Sequence, residues 1–134
     1  TVTWLPFDRM TPMYDDLYNF IQKTNRNHFG FNDIRITEPA QFSEYQKGDF
    51  YDWHVDSMGP SKDHFPRRGR NISCILYLNT LGEDEGGCTE FIGGKKIKPI
   101  QGKLLMFPSS WTYFHRGAPV FNGGVKYTIG TWAI

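Results

Sequence analysis

Cysteine is scarce in this chain of 134 residues, which carries two, Cys74 and Cys88. Two thiols make no disulfide framework of the kind that staples small secreted domains, so a reducing, cytoplasmic setting is the simpler expectation, although the two could still pair with each other. Long apolar runs are missing as well. None approaches the roughly 20 residues that a helix needs to cross a bilayer, so a soluble protein is expected. Charge of one sign is also absent: 15 Lys and Arg against 14 Asp and Glu leave a net charge of +1. That balance gives no global signature of nucleic-acid or membrane binding. No internal repeat, low-complexity tract or linker divides the chain, and residues 1–134 are expected to form one domain able to bury a core. It starts at Thr1 rather than at methionine, which leaves room for a trimmed targeting segment or an excised piece of a longer chain.

What is present favours short strands and tight turns: 16% aromatic residues, 14 glycines and 8 prolines. One good helix opens at Thr11-Pro12. Threonine suits the N-cap and proline the first helical position, and Asp15 and Asp16 lie in or beside the first turn, where the helix dipole favours anions. Tyr14, Leu17, Phe20 and Ile21 recur at helical spacing and predict a face packed on a sheet. After Gly30 the texture becomes β-rich. Strands are expected over Asp33–Thr37, Gln41–Gln46, Phe50–Asp56, Asn71–Asn79, Thr89–Ile92, Lys103–Phe107, Thr112–Arg116 and Val125–Ile134, separated by Gly, Pro, Asn and Asp clusters. About eight short strands with little helix predict a mainly β sandwich, jelly roll or barrel.

Alternation within these runs puts different chemistry on the two faces. Asp52, His54 and Asp56 share one face of their strand. Ser73, Ile75 and Tyr77 oppose Ile72, Cys74 and Leu76, and Lys126, Thr128 and Trp132 oppose Tyr127, Ile129 and Ala133. Polar faces are ordinarily turned to water. Trp132, Tyr77 and Ile75 make poor solvent-facing residues, however, so the favoured arrangement turns these faces into a jelly roll and covers the apolar outer face with the helix.

Two histidines and a carboxylate are the facial ligand set that holds Fe(II) and leaves coordination positions open. His54 and Asp56, two apart, can reach one ion, and His115 lies on another strand. Lys126 would share that interior. A buried ammonium without a partner is costly, and an anionic ligand would relieve it through Lys126, with the Thr128 and Tyr77 hydroxyls as further donors. A metal with open positions and a cationic anchor deeper in the pocket suggests a bidentate dicarboxylate.

These segments together resemble the Fe(II)- and 2-oxoglutarate-dependent dioxygenases, in their prolyl 4-hydroxylase-like branch. The resemblance covers Phe42 to Ile134. It is carried by Tyr45–Asp56, Ile75–Asn79, Gly86–Phe91, Gly102–Pro108, His115 with Pro119-Val120, and Gly124–Trp132. It implies a double-stranded β-helix (jelly-roll) core with the N-terminal helix on its outer face. It implies Fe(II) on His54, Asp56 and His115, and the distal carboxylate of 2-oxoglutarate on Lys126, with Thr128 and Tyr77 as hydroxyl partners. Tyr45 and Trp132 would line the co-substrate pocket, where plain core packing is the competing reading. Molecular oxygen is then the second co-substrate, ascorbate a candidate reductant, and hydroxylation of a prolyl residue in a peptide or protein the expected reaction. Hydroxylation of a free amino acid or other small molecule, and a non-catalytic metal-binding jelly roll, stay open. Neither a nucleic acid nor a membrane is expected as a partner. The segment Ser57–Arg70, with Lys62, Arg67, Arg68 and Arg70, is a candidate lid or a solvated basic loop. His64 and His28 read as surface residues.

Overall fold

The structure, a computed structural model, describes residues 1–57 and 69–134. Most of the candidate lid, including His64, lies outside the described residues. Nine strands and one principal helix occur among them: β1 (Val2–Leu5), α1 (Thr11–Thr24), β2 (Ala40–Tyr45), β3 (Tyr51–His54), β4 (Ile72–Tyr77), β5 (Thr89–Phe91), β6 (Lys96–Ile97), β7 (Leu104–Pro108), β8 (His115–Gly117) and β9 (Lys126–Ala133). They form two antiparallel sheets, β1-β2-β9-β4-β7 and β3-β8-β5-β6. This is the jelly-roll arrangement expected of the sequence.

Helix α1 covers the outer face of the five-stranded sheet. Ile21 packs with Ile34, Ile72, Cys74 and Ala133, and Tyr14 with Ala40 and Ile129. The Tyr14 hydroxyl donates to the Leu5 carbonyl at 2.6 Å and accepts from the Ala40 amide at 2.8 Å, pinning the helix to β1 and β2. Side chains alternate along β4 and β9, so burying Ile72, Cys74, Ile129 and Ala133 under the helix sends Ser73, Tyr77, Lys126, Thr128 and Trp132 to the other face. That face is the interior of the roll.

Several local details differ from expectation. The helix starts one residue early, with Met10 at the N-cap; Thr11 instead donates its hydroxyl to the Phe7 carbonyl, and Pro12 falls in the first turn. The first turn holds no acidic residue, so Asp15 and Asp16 lie beyond it. Phe20 is 57% exposed and leaves the buried stripe to Tyr14, Leu17 and Ile21. The helix then widens over Asn25–Phe29 and stops at Gly30, whose φ of 76° is left-handed. Segment Asp33–Thr37 is loop rather than strand, tied to the end of β9 by a reciprocal pair of bonds between Arg35 and Ile134. Two strands, β1 and β6, go beyond the sequence reading. Cys74 and Cys88 are both free. No helix among the described residues is long and apolar enough to cross a membrane.

Candidate metal and co-substrate site

Strands β3 and β8 pair within the four-stranded sheet, where His54 and His115 stand directly opposite each other with ring centroids 4.2 Å apart. The pairing of β3 with β8 shifts register between Tyr51 and His54, and the strand ends at His54 rather than Asp56. Asp56 sits in the following turn, yet its Oδ1 lies 3.0 Å from His54 Nε2 and 3.7 Å from His115 Nε2. One ligand atom from each of the three residues falls within 4.8 Å of the others.

Each donor is oriented from behind. His54 Nδ1 lies 2.7 Å from the Asp52 carbonyl, and His115 Nδ1 lies 2.8 Å from the Tyr113 carbonyl. A carbonyl can only accept, so both Nδ1 atoms carry the proton and both Nε2 lone pairs face the centre. Asp56 is aimed in the same way. Its Oδ2 accepts from Ser73 Oγ at 2.6 Å and Trp132 Nε1 at 3.1 Å, which leaves Oδ1 for the centre. Ser73 is backed in turn by Ser109, 2.8 Å away.

The electrostatics suit a cation. Burial pushes the Asp56 carboxyl up, but the neighbouring His54 and His115 rings and the Ser73 hydroxyl outweigh it and hold the group well below the usual carboxylate range. His115 is packed between Phe91 and Phe107, with centroids 5.7 and 4.7 Å from its own. Burial there lowers its pKa and favours the neutral, ligating imidazole. Two imidazoles with Nε2 turned inward and one carboxylate, converging on one point, fit a divalent metal of the facial type.

A cavity of about 900 Å3 extends from this cluster between the sheets to Lys126, Thr128, Tyr45 and Thr89. Lys126 is 3% exposed, and among the described residues no carboxylate forms an ion pair with it. Its ammonium lies 5.0 Å from the Tyr45 ring centre and 5.8 Å from that of Tyr77. Burial pushes its pKa down to about 8. Gly87, at a φ of +77°, lets the chain close over the lysine stem: a Cβ there would come within 2.7 Å of Leu81 Cδ1 and 3.4 Å of Lys126 Cδ. Val2, Phe50 and Tyr51 also line the cavity and are exposed.

The sequence profile of the 2OG-Fe(II) oxygenase superfamily matches residues 40–134, the stretch that carries His54, Asp56, His115 and Lys126. The chain belongs to that superfamily. A PKHD-type hydroxylase of Xylella fastidiosa (strain M12) is 40% identical over 95 residues, covering 65% of this chain and 40% of its own length. The chain therefore spans about two fifths of that relative. Two solved structures share the fold. Viral collagen prolyl hydroxylase from Paramecium Bursaria Chlorella virus-1, in its 2OG complex, has a TM-score of 0.79 at 24% identity, covering 98% of this chain and 77% of its own. A prolyl hydroxylase from Trichoplax adhaerens, in complex with a hypoxia inducible factor oxygen degradation domain peptide fragment, has a TM-score of 0.76 at 23% identity, covering 99% and 61%.

Within this oxygenase-superfamily chain, the structure brings His54, Asp56 and His115 into one cluster and puts Lys126, Thr128, Tyr45 and Trp132 around the same cavity. Tyr77 is fully buried, and its hydroxyl is joined to Thr89 Oγ1 at 2.5 Å; it is Thr89 that lines the cavity. The Asp52 side chain is exposed and accepts a bond from the Trp53 amide, while its backbone carbonyl serves His54. Ser73, Ser109, Thr89, Glu38 and Arg70 are the supporting residues that sequence reasoning did not single out for this site. Inward alternation along β4 places Ser73 on the same face as Tyr77, a signal that could have found it.

Proposed function

We propose that this chain is an Fe(II)- and 2-oxoglutarate-dependent dioxygenase domain that hydroxylates prolyl residues of a peptide or protein. In this reading residues 1–134 act as one domain. Fe(II) is held by His54, Asp56 and His115, and the distal carboxylate of 2-oxoglutarate by Lys126, with Thr128 beside it and Tyr45 and Trp132 along the wall. Bound iron supplies the oxidative chemistry, in which dioxygen and 2-oxoglutarate give succinate, carbon dioxide and one hydroxylated C–H bond. Ascorbate is the candidate reductant that restores Fe(II). The two free cysteines fit a reducing, cytoplasmic setting.

The observation that carries this reading is Lys126, a buried ammonium with no described carboxylate partner, in the same cavity as the triad. Holding a metal alone gives no use for it. A dicarboxylate that reaches the metal with one end neutralises it with the other. The chain's residues then orient and exclude. The Nδ1 bonds fix the imidazoles, Ser73 and Trp132 fix the carboxylate, and Phe91 and Phe107 keep water from the His115 side. The exposed apolar side chains of Val2, Phe50 and Tyr51 along the cavity wall suit contact with a peptide.

The test is a mass-spectrometric screen of proline-bearing peptides with Fe(II) and 2-oxoglutarate, begun anaerobically and completed on admission of oxygen. Gain of one oxygen atom on a prolyl residue, with succinate formed in step, is expected. Oxygen gain only on free amino acids would overturn the peptide assignment. Unchanged 2-oxoglutarate affinity in Lys126→Ala would overturn the assignment of that lysine.

A further inference from the structure

Glu38 and Arg70 form a buried ion pair that the proposed chemistry does not use. Glu38 is 5% exposed and Arg70 8%. The contact is two-pronged: Arg70 Nε donates to Glu38 Oε1 at 2.6 Å and Nη2 to Oε2 at 2.7 Å. A buried pair is weak evidence for stability, because desolvation of both charges offsets their attraction and an apolar pair of similar volume often serves as well. Its geometry suggests a different role. The remaining arm, Nη1, reaches the backbone carbonyl of Asp56 at 3.3 Å, and the guanidinium carbon lies 3.8 Å from the ring centre of Trp132. Trp132 in turn donates Nε1–H to Asp56 Oδ2 at 3.1 Å.

One guanidinium thus touches the metal-binding aspartate twice, once through its main chain and once through the indole that orients its carboxylate. Asp56 needs this support, since it lies in a turn beyond the end of β3 and no sheet ladder holds it. Arg70 lies just ahead of β4, Trp132 on β9 and Glu38 ahead of β2, so the pair fixes the turn to the five-stranded sheet. We infer that Glu38 and Arg70 are positioning residues for the metal site, holding Asp56 Oδ1 on the point where His54 and His115 converge. This rests on the metal-site reading given above. The planar fork matters: lysine keeps the charge but loses both the two-pronged contact and the stacked plane.

The experiment is a Co(II) titration of the wild-type chain, of Arg70→Lys and of the double variant Glu38→Leu/Arg70→Met. Binding is followed by Co(II) visible absorption, and folding by thermal melting. The double variant is expected to melt at or above the wild-type temperature, yet to bind Co(II) about 10- to 100-fold more weakly, the usual cost of losing an orienting partner behind a ligand. Its absorption bands should shift as the carboxylate leaves its place. A folded double variant with wild-type Co(II) affinity and bands overturns the positioning role. Should the double variant fail to fold, Arg70→Lys decides: weakened Co(II) binding at an intact melting temperature supports the role, and unchanged binding overturns it. A wild-type chain that binds no Co(II) overturns the metal-site reading itself, and this inference with it.

Discussion

The hydroxyl of Tyr77 on β4 lies 2.5 Å from that of Thr89 on β5, a single hydrogen bond that joins the two sheets beside Lys126. Both residues are buried, so neither hydroxyl can turn to bulk water if its partner is lost. Tyr77→Phe should therefore lower unfolding free energy by about 1–2 kcal/mol, read by urea denaturation. Its effect on 2-oxoglutarate affinity should stay near fivefold, about 1 kcal/mol, because Thr89 rather than Tyr77 lines the cavity. A hundredfold loss of affinity would instead mean that the Tyr77 hydroxyl binds the carboxylate itself.

Lys126 should set stability and co-substrate binding against each other. Its folded pKa, about 8, lies below the ordinary lysine value of 10.5. Between those values the unfolded chain binds more protons than the folded one, so stability rises with pH across that window and the penalty is full below pH 8. Lys126→Met should stabilise the ligand-free protein at pH 7 by up to about 3 kcal/mol while abolishing 2-oxoglutarate binding. The gap between variant and wild type should narrow from pH 8 to pH 10. Cys74 and Tyr77, each pushed up to about 12 by burial, oppose the rise in both proteins and leave the difference intact. A gap that is constant with pH would show that this lysine is not held in a depressed state.

Replacing His54, Asp56 or His115 by alanine should remove succinate formation. Ser73→Ala should act more mildly. It strips one of two donors from Asp56 Oδ2, and a roughly tenfold weakening of metal binding is expected. Full succinate formation in any alanine variant of the triad would show that the three do not act together.

Helix α1 offers a contrast within one turn. Ile21 is fully buried against Ile34, Ile72 and Ala133, while its neighbour Phe20 is 57% exposed. Ile21→Ala should cost about 2–5 kcal/mol and Phe20→Ser less than about 0.5 kcal/mol, both measured by chemical denaturation.

The core of the site was legible because strand geometry repeats every two residues. His54, Lys126, Thr128 and Trp132 could be assigned to inward faces from alternation, His115 joined them through the family resemblance, and the mainly β class followed from the number and length of the runs. The turn holding Asp56 could not be read, because a register shift between β3 and β8 ends the strand at His54. Nor could the supports behind the ligands. Trp132 meets Asp56 across 76 residues, Ser109 meets Ser73 across 36, and Arg70 meets Glu38 across 32, contacts that only the closed roll creates. Segment Asp33–Thr37 has strand-like composition but finds only Ile134 as a backbone partner among the described residues. Strand β1 exists because β2 offers it an edge, and nothing local to Val2–Leu5 announces that.

Both imidazoles owe their tautomer to the carbonyl two positions upstream, Asp52 for His54 and Tyr113 for His115. That proton is assigned by main chain, which every amino acid supplies. The side chain at 52, which lines the cavity, is thus free to diversify without disturbing which nitrogen faces the ion, and recognition of new substrates can evolve there while the ligand field stays fixed.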